Sequence, residues 1–180
     1  MPEYLETERL QLLLCDAPLC RAILQGGVAL NKTLNATTAP GWTEFGPAIF
    51  EFTLEQVERD PSSAIWWSYL ILLKSPRTLI GSCGFKGRPD RFGEVEIGYE
   101  IAPDFRNTGY GTETARALID FAARFPDILV VKAHTLPFES ASTAVLKKCG
   151  LVHFQDLFDP DEGEVWQWKC SLAKKEALTH

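Results

Sequence analysis

The sequence predicts an α/β fold in which one mixed sheet is flanked by helices, and it predicts a single domain over residues 1–180. A chain of 180 residues can bury a sizeable core without disulfides or a metal. Segments with strand and helix periodicity follow one another as strand, two helices, three strands, helix, strand, helix and two strands. No repeat or linker divides them.

The N-terminal half alternates apolar segments with turn-forming residues. Leucines at every second position predict the first strand, and Asp16 is a candidate N-cap for the first helix. Thr53 begins a capping-box pattern that either restarts or continues the second helix. Trp66 and Trp67 adjoin on an expected strand, so they should point to opposite faces. The expected elements are a strand at 5–14, a helix at 16–26, a loop at 31–42, a helix at 47–59 and a strand at 65–73.

The C-terminal half has a clearer pattern. Residues 94–101 alternate acidic residues or glycine with Val95, Ile97, Tyr99 and Ile101, which predicts a strand with one packed face and one open face. An amphipathic helix follows it. The expected elements are strands at 78–85 and 94–101, a helix at 109–124, a strand at 128–134, a helix at 140–149, and a hairpin of strands at 151–154 and 165–172 with an acidic turn at 156–164.

The composition excludes several classes of protein. Lys and Arg number 18 against 24 Asp and Glu, and this net charge of -6 argues against a nucleic-acid partner. No stretch approaches the ~20 apolar residues of a membrane helix. Residues 1–10 carry three glutamates instead of a basic and apolar signal, so we expect a cytoplasmic protein. The five cysteines are scattered without a C-x-x-C pair, which predicts reduced thiols and no metal site.

The segment most suggestive of chemistry lies between the 94–101 strand and the following helix, and we call it the 106–112 turn. It consists of Arg106, Asn107, Thr108, Gly109, Tyr110, Gly111 and Thr112. Its glycines let backbone N–H groups approach an anion, and the helix start adds unpaired donors and a partial positive charge. It lacks the lysine of a Walker loop and the third glycine of a dinucleotide fingerprint. These features suit a pyrophosphate, although two glycines alone also fit a plain strand-to-helix turn.

The wider sequence favours the pyrophosphate site over the plain turn. The run Glu-Ile-Gly-Tyr-Glu-Ile-Ala-Pro-Asp-Phe-Arg-Asn-Thr-Gly-Tyr-Gly-Thr-Glu-Thr-Ala at residues 96–115 resembles the acetyl-CoA-binding motif of the GCN5-related N-acetyltransferases, the GNAT superfamily. Residues 142–151 resemble the second cofactor helix of that family. The start Leu-Glu-Thr-Glu-Arg-Leu at residues 5–10 is similar to the branch that acetylates ribosomal-protein amino termini. The resemblance covers nearly the whole chain.

The resemblance implies a mostly antiparallel sheet that splays apart between its fourth and fifth strands, here 94–101 and 128–134. Acetyl-CoA would lie in the opening, with its pyrophosphate on the backbone amides of residues 106–111 and its pantetheine paired with the strand near Ile101. Two positions depart from the family pattern. Glu139 replaces an asparagine that helps hold the cofactor, and Leu146 replaces a tyrosine that protonates the leaving thiolate.

Acid and base candidates come from two segments. Glu96 is placed to take a proton from the acceptor ammonium, directly or through water, with Glu94 and Glu100 as weaker candidates on the same face. The alternative is a solvated acidic face. In the ribosomal-protein branch a serine matching Ser142 is the proposed acid, but this residue can also be a surface hydroxyl or a cofactor contact. His134 is expected to be a core or edge residue.

We therefore expect an acyltransferase that moves the acetyl group of acetyl-CoA to a primary amine by direct attack, with no covalent enzyme intermediate. Backbone donors near Ile101 would polarise the acetyl carbonyl. Two alternatives belong to other classes: a CoA-binding sensor that has lost turnover, and a dinucleotide-binding protein, which the missing third glycine disfavours. The sequence leaves open the acceptor, among protein amino termini, amino acids, polyamines and antibiotic amines, and also leaves open whether the chain forms a homodimer.

Overall fold

The computed structural model describes residues 4–172, which form nine strands and five α-helices. The strands are β1 (Tyr4–Glu6), β2 (Leu10–Leu14), β3 (Thr37–Thr38), β4 (Ser68–Leu73), β5 (Thr78–Phe85), β6 (Glu94–Ile101), β7 (Val130–Thr135), β8 (Val152–Asp159) and β9 (Gly163–Ser171). The helices are α1 (Ala17–Gln25), α2 (Gly27–Leu34), α3 (Ala48–Arg59), α4 (Tyr110–Ala122) and α5 (Ala141–Lys148). Short 3-10 helices span Pro61–Trp66 and Pro103–Phe105.

The sheet is mixed and mostly antiparallel, as the sequence predicted. Its strands lie in the order β1-β2-β4-β5-β6-β7-β9-β8, and β3 pairs with β5 outside this path. Along the path only β6 and β7 run parallel to each other.

The parallel pair is also where the sheet opens. Residues 94–96 of β6 pair with residues 130–132 of β7, and the pairing then stops. The rest of β6 pairs with β5 alone, and the rest of β7 pairs with β9 alone. This confirms the splay expected between the 94–101 and 128–134 strands.

Two apolar layers hold the helices against the sheet. On one face, Val95 and Ile97 of β6 pack in a cluster with Leu118 and Phe121 of α4. On the other face, the cluster draws its residues from α1, α2 and α3 and from strands β4 and β5. Each such buried side chain contributes roughly 1.5–3 kcal/mol relative to exposure. The packing of α4 fixes its N-terminus beside the C-terminal end of β6.

Two expectations for the N-terminal half were wrong. The strand at 5–14 is two strands, because a turn at residues 7–9 separates Tyr4–Glu6 from the leucine alternation, which begins at Leu10. The expected loop at 31–42 includes the end of α2 and the short strand β3. Helix α2 extends to Leu34 because Asn35 ends it in the left-handed conformation, at φ 46°, which asparagine tolerates.

Two further corrections concern the tryptophans and the hairpin. The strand expected at 65–73 begins at Ser68, and Trp66 ends a 3-10 helix, so the argument from alternation on a strand does not apply. Trp66 is buried against an aromatic cluster that includes Phe85 and Phe121, while Trp67 is half-buried. Strands β8 and β9 are longer than expected and absorb most of the acidic segment, so the turn is confined to the residues between Asp159 and Gly163.

Other structural findings bear on function class. The five cysteines are free thiols, as predicted. Within the described chain, no helix has the length and apolar character needed to cross a membrane. No cluster of three or more His, Cys, Asp or Glu side chains in residues 4–172 is arranged to hold a metal ion.

Candidate active site

The 106–112 turn leads from β6 through a 3-10 helix into α4. Asn107 and Gly109 adopt left-handed conformations, with φ of 60° and 86°, and α4 begins at the next residue. The Glu113 amide donates to the Gly109 carbonyl at 3.0 Å, which closes the first helical turn. Within residues 4–172, the amides of residues 109–112 have no hydrogen-bond acceptor. Four backbone donors at a helix N-terminus make a potential anion site.

The two glycines of the turn serve different purposes. Gly109 is needed for its positive φ, which a residue with a side chain adopts only with strain. Gly111 lies inside the helix, and a Cβ there would meet Val145 Cγ2 at 3.5 Å and Tyr99 Cε2 at 3.7 Å, which are ordinary contacts. The packing of the protein therefore does not itself demand glycine at position 111. Its missing side chain leaves space in front of the free amides.

Two side chains of the turn, those of Arg106 and Thr108, form hydrogen bonds that stabilise its conformation. Arg106 Nε donates to the Ile101 carbonyl at 2.8 Å, and its guanidinium pairs with Glu44 at 2.5 Å. Thr108 Oγ1 donates to the Phe105 carbonyl at 2.6 Å. The side chains of Arg106 and Thr108 are thus engaged with the protein, whereas the backbone amides of residues 109–112 are free to meet a ligand.

The backbone N–H and C=O groups of β6 point alternately toward β5 and toward the opening. The Ala102 amide donates to Ile80 at 2.7 Å, and the Glu96 carbonyl accepts from Lys86 at 2.9 Å, so the even-numbered residues face β5. Tyr99 and Ile101 consequently direct their backbone groups into the gap. The Ile101 carbonyl is occupied by Arg106, which leaves the Ile101 amide as the donor at this position.

Helix α5 borders the opening on the other side. Ser142 is exposed in its first turn, and its carbonyl accepts from the Tyr99 hydroxyl at 3.4 Å. Burial raises the pKa of Tyr99, so this phenol remains protonated and is a poor proton donor. Leu146 is buried in the core cluster on the inner side of the same helix. Ser142 is therefore an exposed hydroxyl of α5, whereas the neighbouring Thr143 is buried.

Glu139 does not present an isolated negative charge to the opening. Its carboxylate lies 2.6 Å from Lys147 Nζ and accepts from Thr143 Oγ1 at 3.0 Å. These contacts hold the pKa of Glu139 below its ordinary value. The departure from asparagine is thus accompanied by a compensating lysine on α5.

The three glutamates of β6 have separate environments. Glu94 pairs with Lys169 at 2.7 Å and Lys132 at 3.3 Å, and these ammonium groups lower its pKa. Glu100 is buried and accepts from Ser82 at 2.5 Å and from the Glu44 amide at 2.7 Å. The shared acidic face is therefore a set of paired carboxylates. Glu100 holds the loop that precedes α3.

Glu96 is at the point where β6 and β7 separate. Its Oε1 lies 2.7 Å from Lys86 Nζ and 2.9 Å from His134 Nδ1, and 15% of its side chain is exposed. Burial raises the pKa of Glu96, but Lys86 and His134 outweigh burial and hold it below the ordinary value. The carboxylate is therefore ionised at neutral pH and faces a primary ammonium group.

Sequence reasoning missed the residues that surround Glu96. His134 Nε2 lies 3.0 Å from Gln167 Nε2, and Gln155 Nε2 donates to Gln167 Oε1 at 3.1 Å. A polar chain thus crosses from β6 through β7 and β9 to β8. Alternation alone places His134 on one face of its strand, but its contact with Glu96 depends on the register of the parallel pair, for which the sequence has no signal.

Comparison with known proteins agrees with this geometry. The family model described as an acetyltransferase (GNAT) domain matches residues 31–152. The chain is 30% identical over 150 residues to a Bacillus subtilis (strain 168) protein named uncharacterized N-acetyltransferase YjdG, covering 82% of this chain and 89% of that protein.

Solved structures share the fold at lower identity. The ribosomal-protein-S5-alanine acetyltransferase of Vibrio fischeri superposes with a TM-score of 0.69 at 16% identity, covering 94% of this chain and 96% of that one. RimL, a ribosomal L7/L12 α-N-protein acetyltransferase solved with coenzyme A, superposes with a TM-score of 0.68 at 18% identity, covering 94% and 98%. With the splayed sheet, the glycine turn and the matching family model together, the chain belongs to the GNAT acetyltransferase family.

Proposed function

We propose that this protein transfers the acetyl group of acetyl-CoA to a primary amine, either a protein amino terminus or a small amine, by direct attack of the neutral amine on the thioester. The observation that carries the proposal is a run of four free amides at the start of α4, next to the gap between β6 and β7. Acetyl-CoA supplies an activated acetyl group when it is bound. The coenzyme A complex of the structural neighbour RimL supports the choice of donor.

The residues of the 106–112 turn are the proposed donor-binding site, with Ile101 beside them on β6. The amides of residues 109–112 would hold the pyrophosphate, because they are free and the missing Gly111 side chain leaves them accessible. The Ile101 amide would pair with the pantetheine arm or polarise the acetyl carbonyl. Arg106, Asn107 and Thr108 shape the turn that precedes these donors.

Glu96 is the proposed general base. The ion pair with Lys86 Nζ at 2.7 Å supports this role, because it places a primary ammonium group against the carboxylate. Lys86 is more than half exposed, with 56% of its side chain accessible, so it can move away and let the ammonium of an acceptor take its position. An ionised Glu96 would then remove the proton that prevents attack. Ser142 is the proposed acid for the thiolate, and water is the alternative.

Two observations favour a second function. The ion pair between Glu96 and Lys86 and the buried leucine at position 146 also suit a protein that binds CoA without turning it over. Such a sensor would need the 106–112 turn but no free base. The two functions predict different outcomes in the same assay.

Turnover of acetyl-CoA with thiol detection tests the proposal. The acceptor panel comprises peptides with free amino termini, amino acids, polyamines and aminoglycosides, and each peptide is matched by its N-acetylated form, which has no α-amine. We expect thiol release with at least one free amine and none with its blocked partner. CoA binding by calorimetry, together with no thiol release above the uncatalysed rate for the entire panel, would replace the enzyme with the sensor.

A further inference from the structure

The turn between β1 and β2 contacts the start of α4, more than a hundred residues later in the chain. Glu113, in the first turn of α4, accepts from Thr7 Oγ1 at 2.6 Å, from the Arg9 amide at 2.8 Å and from Arg9 Nε at 2.7 Å. One carboxylate thus receives three hydrogen bonds. Its side chain is only 15% exposed, so these contacts are largely shielded from solvent.

Arg9 also reaches the 106–112 turn itself. Its Nη1 donates to the Thr108 carbonyl at 2.9 Å, and its guanidinium lies 4.4 Å from the centre of the Tyr110 ring. A Cβ added to Gly109 would lie 3.2 Å from Arg9 Nη2. A single guanidinium therefore contacts the residues on both sides of the glycine where the backbone turns into α4.

The charges explain why this contact matters to a bound anion. A glutamate in the first turn stabilises a helix, but its negative charge would repel an anion at the same helix N-terminus. Arg9 neutralises Glu113 and directs its carboxylate toward residues 7–9. Burial raises the pKa of Glu113, but the bonds from Thr7 and Arg9 outweigh burial and lower it, so the ion pair persists at neutral pH.

We propose that Arg9 and Glu113 are positioning residues that hold the 106–112 turn in its anion-binding conformation, so that the segment at residues 7–9 sets the affinity for CoA. This inference rests on the proposed function, because it assumes that CoA is the ligand of the turn. It assigns a role to the Thr-Glu-Arg segment at residues 7–9, which the catalytic arrangement does not use. The expected loss is roughly 10- to 100-fold in affinity, the range for charge-assisted hydrogen bonds.

The sign of the effect of Glu113→Gln separates positioning from simple charge. If Arg9 acted only as a positive charge beside the ligand, removing the carboxylate would leave CoA binding unchanged or make it tighter. If the pair positions the turn, Glu113→Gln weakens CoA binding although it removes a negative charge. Arg9→Lys should weaken it too, because lysine keeps the charge but lacks the planar set of donors. Both losses should persist at about 1 M salt, where the screening length is about 3 Å.

The experiment is a calorimetric titration of CoA into the parent, Arg9→Lys, Glu113→Gln and the control Arg59→Ala, which removes a distant, exposed arginine–glutamate pair. Hydrogen exchange of the backbone amide of residue 113, which closes the first turn of α4, is measured in the same four proteins without ligand. We expect weaker CoA binding and faster exchange in Arg9→Lys and in Glu113→Gln, and parent behaviour in the control. Equal or tighter binding by Glu113→Gln overturns the inference.

The two proposals fail in different ways. A parent that does not bind CoA removes the proposed function, and the exchange rates then decide alone whether residues 7–9 order the turn. A parent that binds CoA, with both variants matching it in affinity and in exchange, keeps the proposed function and removes the positioning role. Thermal unfolding of each variant identifies any that lacks the parent fold.

Discussion

The proposed donor side of the opening, at the 106–112 turn, and the proposed acceptor side, around Glu96, are built differently. The donor side is a contiguous turn whose free groups are backbone amides, and its conformation follows from the positive φ angles of Asn107 and Gly109 and from the start of α4. The acceptor side is a patch of side chains around Glu96, which come from four strands and a loop. A backbone site tolerates changes in most of its side chains, whereas a site made of side chains depends on each of them and on strand register.

The largest effect is expected from a substitution on the proposed acceptor side. Glu96→Gln should lower kcat by roughly 10²–10⁴-fold, the usual contribution of a general base, and should leave CoA affinity unchanged, because the donor site is made of amides elsewhere. The loss should shrink as pH rises, since free amine then forms without help. The measurement is the pH profile of kcat/KM for an acceptor found in the panel.

The matched control is Glu94→Gln, a change of the same type on the same face of β6. Glu94 is paired with Lys132 and Lys169 and lies in the segment of β6 that is still paired with β7. We expect the parent rate for this variant. Superimposable profiles for Glu96→Gln and the parent would exclude Glu96 from the mechanism.

The next largest effect is expected from a substitution on the proposed donor side. Gly111→Val should weaken CoA binding by roughly 100-fold, because a branched side chain would deny a ligand about two charge-assisted hydrogen bonds to the amides. The control is Gly27→Val at the start of α2, where an added Cβ would meet no atom within 4 Å. Calorimetry with CoA decides the outcome: equal affinities for both variants, with the fold intact, would mean that the pyrophosphate does not lie on these amides.

The contrast between the two sides also explains which features the sequence could predict. The 106–112 turn, the helix after it and the strand before it are contiguous, so local periodicity and glycine spacing identified all three. The partners of Glu96 are contributed by other strands, and the parallel register of β6 with β7 brings His134 beside it. The tryptophans at 66 and 67 show a similar limit, since local strand propensity gave way to a 3-10 helix that buries Trp66.

A third prediction concerns how the acceptor side is tuned. His134→Leu removes a contact that lowers the pKa of Glu96 while burial, which raises it, remains. The pKa of Glu96 should therefore rise, and the acidic limb of the kcat/KM profile should move to higher pH, with roughly a tenfold loss of rate below that limb. The control is His153→Leu, since His153 forms a histidine–carboxylate pair with Asp156 on the edge strand β8. An unshifted acidic limb in His134→Leu would show that this histidine does not influence the base.

The smallest effect tests whether Lys86 competes with the acceptor. Lys86 Nζ occupies the carboxylate of Glu96, and an incoming ammonium must displace it. Lys86 keeps more than half of its side chain in solvent, so we take the pair to be worth about 1 kcal/mol, the upper end for surface ion pairs, and Lys86→Met should lower the acceptor KM by about fivefold. The same change removes a positive charge that lowers the pKa of Glu96, so the acidic limb should also move to higher pH.

Lys132→Met is the control, because Lys132 pairs with Glu94 instead. The acceptor KM is compared at a pH well above the limb, where Glu96 is ionised in every variant. A KM that rises in Lys86→Met would mean that Lys86 helps to bind the acceptor and does not stand in its place.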